Sequence, residues 1–498
     1  LSSMGLKNQE LLNLFESQIQ SRFLDIYARV LKEKNKSYYT IGSSGHEGNG
    51  VLGFVLRKQD LAFLHYRSNA FMLERARKQA GHDEIQNILW GLMACKDDPI
   101  ARGRHKVFGS VELCVPPQTS TIASHLPKAV GSALGLSRAK DLGLPSPYPY
   151  DSIILCSFGD ASLHHASAQS SLNAAQWISS CSYPLPLIYL CEDKGLGISK
   201  KTPENWIEKT IRSRPYLEYI QMDGLNIADV YKNVIKAERM ARRKKIPVFL
   251  HMKCVRLLGH AGSDIESVYL SRKEVREREQ NDPLLHTARM FIEEQILTPK
   301  EILNLYERTR KQIEHKIEKS MNCPTLKDAS EICESLIPKK FSRRNHFLSS
   351  RESRQKKQDF ATKDLKKRTL AQSINHALME LMGRHDNILI FGEDVGNKGG
   401  VYGVTQNLLK KFGNRRVFDS ILDETSILGS AIGFSLVGFL PIPEIQFLAY
   451  FHNAEDQIRG EAATLSFFSD GQYANPMVLR IPGLAYQKGF GGHFHNDN

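Results

Sequence analysis

The most constraining feature of the sequence is the stretch 151–199, in which two apolar runs flank an alanine-rich segment. The run SIILCSF is followed by GDAS at 159–162, then by HHASAQSSLNAAQWISS and by a second apolar run, LPLIYLCED. A strand, a helix and a strand in this order form a βαβ unit, in which the two strands are parallel. The sequence therefore predicts an α/β fold with Asp160 at the carboxyl end of a strand, where such sheets bind ligands.

A basic linker is expected to divide the chain into two α/β parts. Residues 331–370 hold twelve Lys and Arg against five Asp and Glu, and the segment is polar and Ser-rich. This composition is typical of a linker. Beyond it the pattern of strands and helices begins again, with ILIFGEDVG, SILGSAIGFSLVGF, LPIPEIQF and NPMVLRIP. We therefore predict a first domain at 1–330, a linker at 331–367 and a second domain at 368–498.

Three further segments of the first part have clear patterns. Residues 9–33 carry apolar residues at helical spacing and predict an amphipathic helix. Residues 226–245 predict a basic helix that leads into the strand IPVFLHMKCVR. Residues 268–320 are long, charged and helical in pattern, and we expect them to cap the first domain.

Composition excludes several classes of protein. The net charge is +13, but residues 331–370 contribute +7 of it. No basic groove with interleaved aromatic residues accompanies the charge, so nucleic-acid binding is not expected. No run of eighteen apolar residues exists, so no transmembrane helix is expected. The eight cysteines form no CxxC pair, which indicates reduced thiols in a cytoplasmic protein rather than a zinc or disulfide framework.

Taken alone, GDAS is weak evidence for a ligand-binding site, because Asp160 could simply cap the following helix. The ordered set of motifs around it is far more specific: GHEG at 45–48, HYRSNAF at 65–71, SHLPKAVGSALG at 124–135, CEDKGLGIS at 191–199, GHAGSD at 259–264, FGEDVG at 391–396, RVFDSILDETSILGSAIG at 416–433, PEIQFLAY at 443–450 and GGHFHNDN at 491–498. Together they resemble the thiamine-diphosphate-dependent E1 component of 2-oxo acid dehydrogenase complexes, with its α-type and β-type halves fused. The resemblance implies a thiamine-diphosphate-binding, transketolase-like fold with parallel sheets and helices on both faces.

The resemblance assigns one group of residues in the α-type half to the cofactor. Tyr66 and Arg67 match a Tyr-Arg pair that binds the diphosphate, where the guanidinium supplies a bidentate fork; an exposed Arg on an ordinary helix is the alternative. His260 matches a catalytic histidine at the mouth of the active site. The remaining matched positions contact the diphosphate, the thiazolium or the aminopyrimidine: Ser120, Ile122, Gly159, Asp160, Ala161, Ser162 and Lys194.

The family's Mg²⁺ site is matched only in part. The resemblance makes Asp160 a metal ligand and the backbone carbonyl of Leu196 another. Lys194 stands where the family has a ligating asparagine, and a protonated lysine has no lone pair to offer a metal. Three alternatives remain open: Asp193 coordinates the metal instead, Lys194 binds the diphosphate directly as a point charge, or cofactor affinity is damaged.

In the β-type half, Glu424 matches the catalytic glutamate that hydrogen-bonds the aminopyrimidine ring. A carboxylate at the start of a helix could also serve only as a cap. His495 matches the catalytic histidine that acts as an acid or base, or as a positioner, during acyl transfer to lipoyl groups. By resemblance, further residues line or support the same pocket: Glu393, Leu422, Gln446 and Tyr450.

The function implied is oxidative decarboxylation of a 2-oxo acid, with thiamine diphosphate and Mg²⁺ as cofactors and acyl transfer to the lipoyl domain of an E2 partner. Branched-chain 2-oxo acids are the first expectation for the substrate and pyruvate the second. The family's β-type halves continue beyond the closing motif, so we expect a C-terminally truncated chain whose second domain is incomplete and whose full-length form is a homodimer. The alternatives are acetoin dehydrogenase, another transketolase-like enzyme, or a degenerate fragment without catalytic activity.

Overall fold

A computed structural model describes residues 5–337 and 367–483 of the chain. The first part contains a five-stranded sheet in the order β1-β2-β3-β5-β4, with every neighbouring pair parallel. Its strands are β1 (Ala62–Phe63), β2 (Ile154–Gly159), β3 (Leu187–Asp193), β4 (Glu218–Asp223) and β5 (Val248–Lys253). Every residue of β2 and β3 is buried, as expected of strands covered on both faces. The predicted βαβ unit at 151–199 is confirmed.

Helices surround this sheet. The predicted amphipathic helix is confirmed as α1, and its Phe23 ring lies 4.6 Å from that of Tyr306. The charged segment 268–320 is helical as predicted, although it is divided into three helices. The bounds of the helices in the first part are α1 (Asn8–Glu33), α2 (Gly50–Val55), α3 (Asn69–Ala76), α4 (Glu84–Leu92), α5 (Leu126–Leu142), α6 (Ala166–Ser180), α7 (Trp206–Arg212), α8 (Ile227–Arg239), α9 (Arg272–Gln280), α10 (Pro283–Glu293), α11 (Pro299–Ser320) and α12 (Ala329–Cys333).

The second part repeats the α/β plan on a smaller scale. Its sheet has the order β7-β6-β8, again with parallel pairs. The strands are β6 (Ile388–Gly392), β7 (Val417–Asp419) and β8 (Leu440–Glu444). The helices are α13 (Leu370–Arg384), α14 (Leu408–Phe412), α15 (Glu424–Leu436) and α16 (Ala463–Phe468). Parallel sheets with covering helices, as predicted, make up both parts.

The segment NPMVLRIP was predicted as a further strand, and the structure corrects this. It runs beside β8 and donates two backbone hydrogen bonds of 3.0 Å, from Val478 to Pro441 and from Arg480 to Pro443, but forms only an isolated bridge between Glu444 and Arg480. The physical reason is that Pro441 and Pro443 have no backbone N–H. They cannot donate hydrogen bonds to the neighbouring segment, so a regular ladder cannot form along this edge.

The two parts are joined by the close packing of α5 against α15. A Cβ at Gly131 would lie 2.3 Å from the backbone oxygen of Ser430, and one at Gly433 would lie 2.2 Å from that of Lys128. Only glycine allows the helix backbones to come this close. A buried ion pair of 2.5 Å between Lys128 and Glu461 also crosses the interface. The two parts therefore share one core.

Within 5–337 and 367–483, we find no helix that combines the length and the apolar character needed to span a membrane.

Candidate functional site

Asp160 lies directly after β2, at the carboxyl edge of the larger sheet. Its Oδ1 accepts a hydrogen bond of 2.6 Å from Nζ of Lys194, and its Oδ2 accepts one of 2.6 Å from the hydroxyl of Thr202. Lys194 follows β3, the strand that pairs with β2, so the parallel register brings the two side chains to the same edge. Both are buried. Asp160 is therefore held in an ion pair rather than acting as a simple helix cap.

Asp193, the last residue of β3, is engaged by partners of its own. Its carboxylate accepts hydrogen bonds from His251 Nε2 at 2.7 Å, from Lys253 Nζ at 2.6 Å and from the backbone N–H of Gly195 at 2.9 Å. Burial opposes ionisation, yet these three donors hold the pKa of Asp193 below its ordinary value. The next residues turn at Gly195, whose φ of +64° favours glycine, and lead to the buried Leu196.

Tyr66, Arg67 and His260 form a second group beside Asp160 and Lys194. Arg67 is buried and donates to the backbone oxygens of Gly42 and His260, the latter at 2.9 Å. The rings of Tyr66 and His260 meet edge to face with centroids 6.2 Å apart. Burial, and then the charges of Arg67, Arg256 and Lys194, lower the pKa of His260 to about 4. His260 is therefore neutral at physiological pH, with its Nδ1 accepting a hydrogen bond of 3.2 Å from Arg67.

Sequence reasoning missed a buried trio at the centre of this region. His46 Nδ1 lies 2.6 Å from Glu192 Oε2, and His65 Nδ1 lies 3.6 Å from Glu192 Oε1. Burial raises the pKa of Glu192 to about 8 and lowers the pKa of both histidines. The trio is thus largely uncharged at neutral pH. Each of the three residues belongs to a motif named above: His46 to GHEG, His65 to HYRSNAF and Glu192 to CEDKGLGIS. The motifs alone do not show that the three side chains meet in the folded chain.

Gly159 leaves a small space next to these groups. A Cβ at this position would lie 3.1 Å from Lys194 Nζ and 3.3 Å from His65 Nε2. The residues after Asp160 form a short 3₁₀ helix, Asp160–His164, in which Ser162 is buried and Ala161 is half-buried. Ser120 and Ile122 are exposed and precede α5.

In the second part, Glu424 and Glu393 form an acidic pair. Glu424 is the first residue of α15, and its carboxylate accepts one long hydrogen bond, 3.4 Å from Asn453 Nδ2. Glu393 follows β6, and its Oε1 is buried without a hydrogen-bond partner among the described residues. Burial, and then the charges of Glu424, Asp394 and Asp423, raise the pKa of Glu393 to about 7. This pair offers oxygen acceptors to a ligand that donates hydrogen bonds.

The other predicted residues of the second part lie at varying exposure around this pair. Gln446 donates to Asp394 at 3.4 Å, and the Tyr450 ring meets that of Phe447 edge to face at 5.9 Å. Leu422 is 82% exposed. His495 lies outside the described residues.

The predicted residues therefore fall into two half-sites. The diphosphate-side half-site comprises Tyr66, Arg67, Asp160, Lys194 and His260, and the pyrimidine-side half-site comprises Glu393, Glu424, Gln446 and Tyr450. Within 5–337 and 367–483, no hydrogen bond, ion pair or ring contact joins a residue of one half-site to a residue of the other. One half-site is rich in cations and the other in carboxylates.

The residues of the two half-sites suit the organic parts of thiamine diphosphate better than they suit its metal ion. The cationic and N–H groups around Gly159 suit a diphosphate, and the unpartnered Glu393 oxygen suits a pyrimidine that donates hydrogen bonds. The same residues do not fit Mg²⁺, which needs several oxygen ligands. Both oxygens of Asp160 already accept hydrogen bonds, Lys194 has no lone pair, and Asp193 is held by other donors.

Comparison with known families agrees with this division. The family model of the dehydrogenase E1 component matches residues 16–328, more than half of the chain. The chain belongs to the dehydrogenase E1 component family. The transketolase pyrimidine-binding domain matches residues 366–469, so the acidic half-site lies on a domain of that type. The α/β fold expected from the motifs, with transketolase-like character, is confirmed.

The similarity between this chain and its curated relatives covers only part of each protein. It is 42% identical over 127 residues to the pyruvate dehydrogenase E1 component subunit beta of Staphylococcus epidermidis, which is 26% of this chain and 37% of that protein. It is 41% identical over 114 residues to the 2-oxoisovalerate dehydrogenase subunit beta of Pseudomonas aeruginosa, covering 23% and 33% respectively. It is 40% identical over 127 residues to the pyruvate dehydrogenase E1 component subunit beta of Bacillus subtilis, which is 26% of this chain and 37% of that protein. The chain thus spans about a third of the length of the relatives it matches.

Proposed function

We propose that this chain is the E1 component of a 2-oxo acid dehydrogenase complex, with α-type and β-type halves on one polypeptide. Its reaction is thiamine-diphosphate-dependent oxidative decarboxylation of a 2-oxo acid, followed by acyl transfer to the lipoyl domain of an E2 partner. The observation that carries the proposal is the presence of a cationic half-site and an acidic half-site on one chain, within stretches that match an E1 family and a pyrimidine-binding domain.

Thiamine diphosphate, when bound, would supply the nucleophile and the electron sink for decarboxylation of the 2-oxo acid. The protein's own groups do the rest. Arg67 and Lys194 bind the diphosphate, with Tyr66 packed beside Arg67. Glu424 would accept a hydrogen bond from the aminopyrimidine ring and so hold that ring in the tautomer suited to acid-base chemistry. Glu393 supports it from an adjacent position.

His260 is placed to handle protons of the substrate. Its low pKa keeps it neutral at pH 7, and its Nδ1 accepts a hydrogen bond of 3.2 Å from Arg67, so the N–H on Nε2 can orient a substrate carbonyl. His495 is the second proposed acid or base, acting at the acyl-transfer step, in agreement with its position in GGHFHNDN. The proposed substrates are branched-chain 2-oxo acids first and pyruvate second, and the names of the matched relatives include both types.

A complete site is proposed to form between two copies of the full-length chain. This proposal follows the homodimer that the family resemblance implies, in which the two half-sites that share one cofactor come from different copies. Sedimentation velocity with and without thiamine diphosphate tests this. A monomer that binds the cofactor at full stoichiometry would contradict it.

The test of activity compares lipoamide-dependent turnover of 3-methyl-2-oxobutanoate, pyruvate and acetoin by the full-length protein. We expect turnover of a 2-oxo acid and none of acetoin. Turnover of acetoin alone would identify an acetoin dehydrogenase. Failure to bind thiamine diphosphate, measured by calorimetry, would overturn the proposed function and favour a non-catalytic scaffold.

A further inference from the structure

The ammonium of Lys194 lies at the position where the family resemblance places a metal-ligating asparagine. It donates at 2.6 Å to Asp160 Oδ1, and its side chain is only 3% exposed. The second oxygen of Asp160 accepts from Thr202, also at 2.6 Å. The one carboxylate that the resemblance offers to a metal is therefore satisfied by a cation of the chain itself and by a hydroxyl.

A replacement metal ligand is not available from the neighbouring acid. Side chains alternate between the two faces along a strand, so Asp193 and Glu192 point in opposite directions. Asp193 faces β5, where His251 and Lys253 hold it, and Glu192 faces the two buried histidines His46 and His65. If Asp193 moved toward Asp160, the buried His251 would lose the carboxylate that accepts the hydrogen bond from its Nε2.

The charge around the site is already suited to an anion without a metal ion. Arg67, Arg256 and Lys194 all act on His260 as positive charges and help to keep it unprotonated. A divalent cation placed beside Asp160 would be within a few ångströms of the Lys194 ammonium, and like charges repel strongly at that distance in a buried site. The ammonium and a metal ion are therefore mutually exclusive here.

We propose that Lys194 takes the place of the divalent cation, so that the chain binds the diphosphate of its cofactor without Mg²⁺. Asp160 then positions the lysine rather than a metal ion, and two of the three ammonium protons are left for the phosphate oxygens. Lysine is well suited to this role because its ammonium is a compact charge with rotatable donors. This inference rests on the proposed function, and it specifies how that site binds its cofactor.

The test is a calorimetric titration of thiamine diphosphate into the full-length protein, in excess Mg²⁺ and in EDTA. We expect the two dissociation constants to differ by less than about threefold, because no metal ion joins the complex. Electron paramagnetic resonance of Mn²⁺ gives a second measurement, and we expect no stoichiometric Mn²⁺ binding on addition of the cofactor. Binding only in Mg²⁺, or Mn²⁺ bound one to one with the cofactor, would overturn the inference.

Lys194→Asn restores the ligand type expected from the family resemblance. We expect this variant to lose at least about tenfold in affinity in EDTA, through loss of the charged donor, and to recover it with Mg²⁺ while binding Mn²⁺. The matched control is Lys201→Asn, which makes the same change at an exposed lysine paired with Glu274. It should leave both constants unchanged. Equal affinities for the Lys194 variant and the native protein in EDTA would also overturn the inference.

The two proposals fail in distinguishable ways. Metal-dependent binding by the native protein overturns this inference and leaves the proposed function intact. No binding in either medium, with circular dichroism showing a folded protein, overturns the proposed function and this inference with it.

Discussion

Asp160 in the first part and Glu393 in the second part occupy the same place in their α/β units. Each follows a glycine at the carboxyl end of an interior parallel strand. Their surroundings are opposite. Both oxygens of Asp160 accept hydrogen bonds, one of them from an ammonium, whereas Glu393 is surrounded by other acids and keeps an oxygen without a partner among the described residues.

This comparison shows that the position at the strand end does not decide the chemistry. The neighbouring strand and helix decide it, because they supply the charges that reach the carboxylate. The first part supplies Lys194, which leaves a net cationic half-site that suits a diphosphate. The second part supplies Glu424 at the start of α15, which leaves an acidic half-site that suits a donor such as a protonated ring nitrogen.

The largest expected effect comes from removing the acid that defines the pyrimidine-side half-site. Glu424→Gln in the full-length protein should slow hydrogen–deuterium exchange at the reacting carbon of bound thiamine diphosphate by about a hundredfold or more, the usual size of a lost acid-base contribution. Cofactor affinity should change little, because the proposed function assigns the diphosphate to the other half-site. An unchanged exchange rate would contradict the role given to Glu424.

A smaller effect is expected at the glycine that opens the diphosphate-side half-site. The Cβ of Gly159→Ala would lie 3.1 Å from Lys194 Nζ and 3.3 Å from His65 Nε2. It would displace both side chains and should weaken thiamine diphosphate binding by about tenfold. The matched control is Gly197→Ala, whose Cβ meets Ala161 at an ordinary 3.5 Å and should leave affinity unchanged. Equal affinities for both variants would show that this space does not receive the diphosphate.

The smallest effect concerns stability and pH in the acidic half-site. The pKa of Glu393 is raised to about 7 in the folded chain, so its contribution to stability is full below its unfolded pKa and is lost as pH rises through 7. Glu393→Gln keeps the uncharged form at all pH values. Relative to the native protein, the variant should therefore gain on the order of 1 kcal/mol of unfolding free energy between pH 5 and pH 8, after allowance for solvent screening.

Urea unfolding at the two pH values measures this difference. The exposed Glu218 on β4 provides a control, since Glu218→Gln should give the same stability as the native protein at both pH values. If the unfolding free energies of the native protein and of Glu393→Gln change by the same amount between the two pH values, the acidic half-site does not raise the pKa of Glu393. The contrast drawn between the two strand-end carboxylates would then be wrong.

Much of the fold could be predicted from local patterns in the sequence. Helical spacing located α1, and the order of apolar runs around GDAS predicted β2, α6 and β3. The same patterns wrongly predicted a strand at NPMVLRIP. The residues of this segment favour a strand, but the prolines that interrupt its pairing lie in β8, its neighbour in the fold. The trio of His46, His65 and Glu192 was missed because its members are far apart along the chain.

By itself, the sequence determined that Asp160 directly follows a strand of a parallel sheet, and the family resemblance implied that Lys194 stands in the place of a metal-ligating asparagine. It could not decide among the three alternatives for this position. The tertiary structure placed the ammonium of Lys194 on Asp160 and left Asp193 with His251 and Lys253. The reason is the register of three strands: β2 pairs with β3 so that Gly159 lies opposite Glu192, and β3 pairs with β5 so that Asp193 lies opposite Lys253. Such pairings join residues distant along the chain, and they depend on packing that no local pattern records.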